Sequence, residues 1–220
     1  MTNQTKKSFC SWSGGKDSAL ALYKAIQSGI KPSYLLTMMI ETGDRSRSHG
    51  IHKSVLEAQA KALGIPIRFC SASWDSYTDR FLNELKTLNE LGVQTGIFGD
   101  IDIEAHYQWV HSVCEKNHIQ PLLPLWQNQR EVILKELTEN DFQAEIIAVK
   151  EGILPPTFLG KALNIAIFKD FKTYGIDLCG EAGEYHTFVT NGPLFKYPLQ
   201  IKHGEQVLKS GYWFSDISLV

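Results

Sequence analysis

Ser13-Gly14-Gly15-Lys16-Asp17-Ser18 is the stretch of this 220-residue chain whose residue types and spacing could do chemistry on a phosphate. Gly14 and Gly15 have no Cβ, so their backbone can come close to an anion and adopt positive φ. Ser13 and Ser18 add hydroxyl donors, and Lys16 adds a point charge. Asp17 would be repelled by phosphate unless a cation sits between them, which points to a magnesium contact. The turn is not a Walker A loop, because Cys10 stands where that motif needs its first Gly and Asp17 where it needs Ser or Thr. A G-x-G-x-x-G fingerprint is also absent. A plain strand-to-helix turn is the alternative reading.

A phosphate turn works only where a strand delivers it and a helix follows, because the helix start supplies free N–H groups and the positive end of a dipole. The patterning meets this need. Phe9 to Trp12 reads as a buried strand, with Ser11 at its end, and Asp17 to Gln27 as an amphipathic helix stopped by Ser28-Gly29. Strands are expected at 34–40, 67–70 and 95–98, and helices at 51–63 and 77–91. A polar loop fills 41–50. Alternating strands and helices with short connections predict an α/β fold, a parallel twisted sheet with helices on both faces. Ligands of such sheets bind beyond the carboxyl ends of the strands, where Ser13 to Gly15 and Gly99-Asp100 fall.

The second half is less regular. Helices are expected at 105–117, 128–139 and 158–174, a strand at 144–149, and β-type alternation from Asp177 onward. Pro121, Pro124 and Pro155-Pro156 read as breaks. A boundary near residue 120 divides the chain into an N-terminal domain, 1–120, and a smaller C-terminal α+β domain, 121–220.

Lys plus Arg is 22 and Asp plus Glu 24, a formal net charge of -2 that argues against nucleic-acid and membrane-surface binding. Arg45 and Arg47 read as a solvated loop. No apolar run approaches the roughly 20 residues that cross a bilayer. The polar start, Met1 to Ser8, has no signal-peptide core, and Asn3-Gln4-Thr5 is a sequon without export, so a cytoplasmic protein is expected. Cys10, Cys70, Cys114 and Cys179 are too far apart for a zinc knuckle or redox pair and read as small buried residues. The scattered Trp12, Trp74, Trp109, Trp126 and Trp213 do not read as a base-stacking platform. A homodimer is the base-rate expectation.

Three further strings sharpen the reading. They are Gly99-Asp100-Ile101 followed by Glu104, His106 and Trp109; Pro124-Leu125-Trp126; and Cys179-Gly180-Glu181-Ala182-Gly183-Glu184-Tyr185-His186-Thr187-Phe188. With the phosphate turn, they resemble the diphthine–ammonia ligase family of PP-loop ATP pyrophosphatases, of the adenine-nucleotide α-hydrolase-like superfamily. The resemblance spans about residues 8–200 and implies that the N-terminal domain, 1–120, binds ATP and the C-terminal domain, 121–220, serves the acceptor substrate. It implies cleavage of ATP, with Mg2+, to AMP and pyrophosphate, adenylation of an acceptor carboxylate, and displacement of AMP by ammonia to form an amide. The acceptor it implies is diphthine on elongation factor 2 where the host makes diphthamide, and otherwise a small molecule.

On this reading Ser11, Ser13, Gly14, Gly15, Lys16, Asp17 and Ser18 hold the nucleotide with Gly99, and adenine lies near Thr37 and Met38. Asp17 and Asp100 are the magnesium candidates; a helix N-cap is the alternative for Asp100. Glu181, Glu184 and His186 are the catalytic candidates with Lys16, Asp17 and Asp100. One of the carboxylates would act as a base, with a metal site or a surface turn as alternatives. His49, Glu104, His106, Gly183, Tyr185 and Thr187 are the substrate-binding candidates, His49 and His52 flanking the start of the second helix. Two other functions stay open: a PP-loop enzyme acting on tRNA, and a regulatory protein that binds ATP or AMP without turnover.

Overall fold

The structure, a computed structural model, describes residues 7–220. The sequon and most of the polar start lie outside the described residues. The chain packs into two compact units. The first takes the chain up to Ser13, Asp17–Arg47 and Ile65–Gln127; the second takes Gly14–Lys16, Ser48–Gly64 and Asn128–Val220.

The first unit is an α/β layer structure. Its strands β1 (Lys7–Ser11), β2 (Pro32–Met39), β3 (Ile67–Ser71), β4 (Val93–Ile97) and β5 (Gln120–Leu122) form one parallel sheet in the order β3-β2-β1-β4-β5. Successive side chains on a strand point to opposite faces. Phe9, Leu36, Met38 and Cys70 therefore join the core formed with Phe81, Leu85 and Leu88 of α3 (Tyr77–Glu90) and Val110, Val113 and Cys114 of α4 (Glu104–Glu115). Cys10 points the other way, and its thiol lies 3.9 Å from the Ser18 carbonyl in α1 (Lys16–Gln27). Right-handed crossovers require this division, α1 on one face and α3 with α4 on the other. The winding reverses between β1 and β4, so the segments after Ser11 and Ile97 flank the switch point where ligands of such sheets bind.

Three sequence expectations change here. Pro121 was read as a break, yet it lies inside β5, an edge strand, where a missing N–H costs no ladder bond. Arg47 is no solvated residue. Its side chain is 6% exposed, pairs with Glu41 at 2.8 Å, donates to the Ala72 carbonyl and lies 4.9 Å from the Trp74 ring centroid. The helix expected from 51 starts at Lys53, because the His52 ring nitrogen accepts the Ser54 N–H and caps α2 (Lys53–Leu63). All four cysteines are free and buried, as expected. No helix among the described residues is long and apolar enough to cross a membrane.

The second unit is built on an antiparallel sheet of β6 (Gln143–Lys150), β7 (Tyr185–Asn191), β8 (Ile201–Lys209) and β9 (Tyr212–Leu219), in the order β7-β6-β9-β8. It also holds α2, α5 (Arg130–Glu139) and α6 (Ile165–Tyr174). The helix expected over 158–174 is cut short. Pro155-Pro156 leads into a single 3-10 turn, Pro156–Phe158, and α6 begins only after Asn164, whose side chain accepts the Ala166 and Ile167 N–H groups. That pair of bonds is a strong helix start and explains the late beginning. Gly183 and Gly180 hold positive φ in the turn before β7, a conformation that glycine adopts without strain.

Gly96 marks the tightest packing against β1. A Cβ there would lie 2.7 Å from the Phe9 ring and 2.9 Å from the Phe98 ring, neither of which can yield. Gly96→Ala is expected to destabilise the protein by about 1–3 kcal/mol, read as a lower urea midpoint at unchanged slope.

Candidate functional site

β1 and β4 of the first unit end side by side at the switch point. Trp12 N–H donates to the Leu36 carbonyl at 2.8 Å, and Thr37 Oγ1 donates to the Trp12 carbonyl at 2.6 Å, so the strand leaves the sheet under firm control. The Ser13 and Ser18 hydroxyls are 3.2 Å apart. Gly99 backs the helix start: a Cβ on it would sit 2.9 Å from the Asp17 carbonyl carbon and 3.0 Å from the Ser18 nitrogen. Asp100 pairs with His106 at 3.3 Å, and Ile103, not Asp100, is the N-cap of α4. Burial, then the Asp100 charge, pushes the Tyr77 hydroxyl up to about 12. Glu104 accepts from the Gln108 amide one turn along the same helix. At the expected adenine position the Met38 carbonyl takes the Arg47 N–H and the Met39 carbonyl the Ala72 N–H, and Met38 is a core residue.

Gly14, Gly15 and Lys16 belong to the second unit. Gly14 to Lys16 lies along β7, an edge strand whose outer groups need partners. Val189 N–H donates to the Gly14 carbonyl at 2.9 Å, and Lys16 N–H to Thr187 Oγ1 at 3.0 Å. Gln59, fully buried in α2, clamps the pair by donating to both the Gly14 and the Val189 carbonyls, at 3.1 and 2.7 Å. Gly14 has φ +84°, and a Cβ on Gly15 would lie 2.8 Å from His49 Nε2. Only glycine fits there. The Lys16 side chain is 2% exposed; its ammonium donates to the Cys179 carbonyl and lies 5.4 Å from the Tyr185 ring centroid.

The turn from Asp177 to Glu184 is organised around one carboxylate. Asp177 Oδ1 accepts the N–H groups of Cys179 and Glu181, and Oδ2 pairs with Arg130 at 2.8 Å. Burial pushes the Asp177 carboxyl up, but Arg130 and the two N–H groups outweigh it and hold it below the usual carboxylate range. Glu184 Oε1 accepts the Asp177 N–H at 3.0 Å, and Tyr185 OH donates to the Leu178 carbonyl.

Beside this turn the His49 and His186 rings lie 4.5 Å apart, and Tyr212 follows at 5.7 Å from His186. Burial first, then His186 and Lys16, hold His49 well below its ordinary value. Burial and then Lys16 hold His186 at about 4. Both imidazoles are therefore neutral at pH 7.

Of the residues singled out in the sequence, Gly14, Gly15, Lys16, His49, Gly183, Glu184, Tyr185, His186 and Thr187 share the second unit with Glu181. Ser11, Ser13, Asp17, Ser18, Thr37, Met38, Gly99, Asp100, Glu104 and His106 belong to the first. Four residues were not singled out: Gln59, Arg130, Asp177 and Tyr212. Gln59 had a signal, since it stands in the buried stripe of Val55, Leu56, Ala60 and Leu63. Asp177 had a weaker one, as a carboxylate two residues before a turn N–H. Tyr212 and Arg130 had none.

A parallel sheet whose first strand passes through Ser-Gly-Gly-Lys-Asp-Ser into a helix defines a PP-loop protein. The chain belongs to the diphthamide synthase family: residues 6–121 match the model of the diphthamide synthase N-terminal domain, and residues 129–219 that of its C-terminal domain. Similar proteins include the diphthine–ammonia ligase of Rattus norvegicus, 30% identical over 94% of this chain and 86% of its own length. That of Danio rerio is 26% identical over 94% and 91%. A solved structure, the predicted subunit of tRNA methyltransferase from Methanocaldococcus jannaschii, is similar with 18% identity and a TM-score of 0.47, over 85% of this chain and 97% of that one.

The histidine pair has a pH signature. His186 is held near 4 when folded against an ordinary value of 6.5, so the unfolded chain takes up the proton first. Its stabilising contribution is complete above pH 6.5 and is lost as pH falls through the folded value, a few kcal/mol at most. Urea midpoints of the wild type are expected to fall across that window, and those of His186→Phe to fall less.

Proposed function

We propose that this protein is an ATP-dependent amide ligase that forms AMP and pyrophosphate, acting on a carboxylate with ammonia as the second substrate. The names of its relatives support a ligase. The observation that carries the nucleotide part is the Gly14-Gly15 backbone, held where a Cβ on either glycine would collide with its surroundings. Such a turn ahead of a helix suits a pyrophosphate. Ser13, Gly14, Gly15 and Ser18 would cradle it. Lys16 is a fixed positive charge beside the turn, so it can add charge to the cradle. Asp17 and Asp100, both in the first unit, would hold Mg2+, which would offset the phosphate charge.

The chemistry needs two displacements. An acceptor carboxylate oxygen attacks the α-phosphorus, the bond to the β-phosphate oxygen breaks, and pyrophosphate leaves. Ammonia then attacks the acyl carbon, and AMP leaves with the C–O electron pair while a base takes the surplus proton. Donors preset where negative charge grows lower the first barrier, and positioning does most of the rest. Glu181, Glu184 and His186 would serve the acceptor and ammonia, with His49 and Thr187 positioning the turn. The acceptor class is a carboxylate, diphthine on elongation factor 2 where the host makes it and a small molecule otherwise. The site of action would be the cytoplasm.

The test is α-labelled ATP with magnesium, ammonium and cell extract, resolving AMP from ADP. AMP is expected, falling about 100-fold or more in Lys16→Ala, whose melting temperature is followed alongside to separate catalysis from folding. ADP as the product would overturn the proposal.

A further inference from the structure

Two buried polar atoms of the second unit lack a hydrogen-bond partner among the described residues, Glu184 Oε2 and His49 Nδ1. Glu184 is 8% exposed, and its other oxygen is already satisfied by the Asp177 N–H. A buried carboxylate oxygen without a donor is strongly destabilising, so the fold is built to receive a donor or a cation there. The other two such atoms, Ser8 Oγ and Arg47 Nε, belong to the first unit.

The surroundings narrow what the oxygen can receive. Tyr212 stands across β6 from Glu184: Lys150 pairs with Tyr212, and its N–H donates to the Glu184 carbonyl. A Cβ on Gly183 would lie 2.7 Å from the Tyr212 hydroxyl, so Gly183 makes room for that hydroxyl one residue before Glu184. Burial, then the Glu184 charge, raises the Tyr212 hydroxyl. The row continues through His186 to His49, both neutral, so the histidines present no charge that would repel a cation. Lys16, the nearby fixed cation, directs its ammonium to the Cys179 carbonyl. One carboxylate oxygen with a phenol oxygen near it suits a small monovalent cation that donates hydrogen bonds. No trio of His, Cys, Asp and Glu among the described residues is placed for a metal ion.

We propose that Glu184 Oε2 and the Tyr212 hydroxyl oxygen form the seat of the ammonium ion. The choice of ammonium over other monovalent ions rests on the ligase reading above. Glu184 and Tyr212 then touch a substrate directly, while Asp177 and Arg130 position Glu184 through the turn.

The experiment titrates the full chain with ammonium chloride against sodium and potassium chloride at constant ionic strength, following the melting temperature. Ammonium is expected to give a saturable rise of a few degrees that neither other salt matches. Glu184→Gln keeps the size of the side chain and an oxygen for the Asp177 N–H, and is expected to abolish the rise. Tyr212→Phe, which removes only the hydroxyl, should weaken it at least tenfold in midpoint. No ammonium-specific rise, or one that survives in folded Glu184→Gln, overturns the seat and leaves Oε2 with a water or a proton. The AMP assay separates the two readings. AMP formation without the ammonium effect removes the seat alone, whereas an ammonium effect with ADP as product removes the ligase reading alone.

Discussion

The edge of β7 needs partners for its outward backbone groups, and the turn from Gly14 to Lys16 supplies them. Val189 N–H meets the Gly14 carbonyl, Thr187 Oγ1 meets the Lys16 N–H, and Gln59 joins both strands of this contact from α2. An exposed strand edge is a liability in any sheet. Here it is covered by the one segment whose backbone has to be held rigid. The glycines follow from this constraint: with the chain pinned to β7, a side chain on Gly14 would meet Gln59 and Leu56, and one on Gly15 would meet His49. A loop fixed in this way loses little further entropy when an anion docks, which is what preorganisation means physically.

The same contact explains the electrostatics beside it. Pinning Gly15 brings His49 onto His186, and burial then keeps both rings neutral. Neutral imidazoles can accept a proton at physiological pH, which charged ones cannot. Lys16 is the fixed cation of the cluster, and Asp177, held ionised by Arg130, is a fixed anion. Thus the charges are assigned by burial and pairing, and Glu184 Oε2 and His49 Nδ1 stand out as the buried polar atoms of this unit without a hydrogen-bond partner among the described residues.

Much of the fold was legible because its signals are local. The parallel sheet followed from strand and helix periods in the first half, and β1, α1, β2 and α3 begin and end within a few residues of the expected places. Where local signals compete, the reading drifted. Pro121 looked like a break because proline removes a donor, but only the sheet order reveals that β5 is an edge where the donor is not needed. Phe158 to Tyr174 looked like one helix because its apolar residues recur at helical spacing; the Asn164 cap and the proline pair decided otherwise. Arg47 looked solvated because its sequence neighbours are polar, whereas its partners, Ala72 and Trp74, lie some 25 residues on.

The sequence by itself determined the phosphate turn, the parallel α/β architecture around it and the family, because each rests on residues adjacent in the chain or spaced by a helix or strand period. Tertiary structure alone decided which groups complete the site. Gln59 reaches Val189 across 130 residues, and Lys16 reaches Thr187 across 171. Contacts at such separations leave no period in one sequence; they exist only once strand order and edge pairing are set. For the same reason Tyr212, at the far end of the chain, carried no sign that it would stand beside Glu184 and His186.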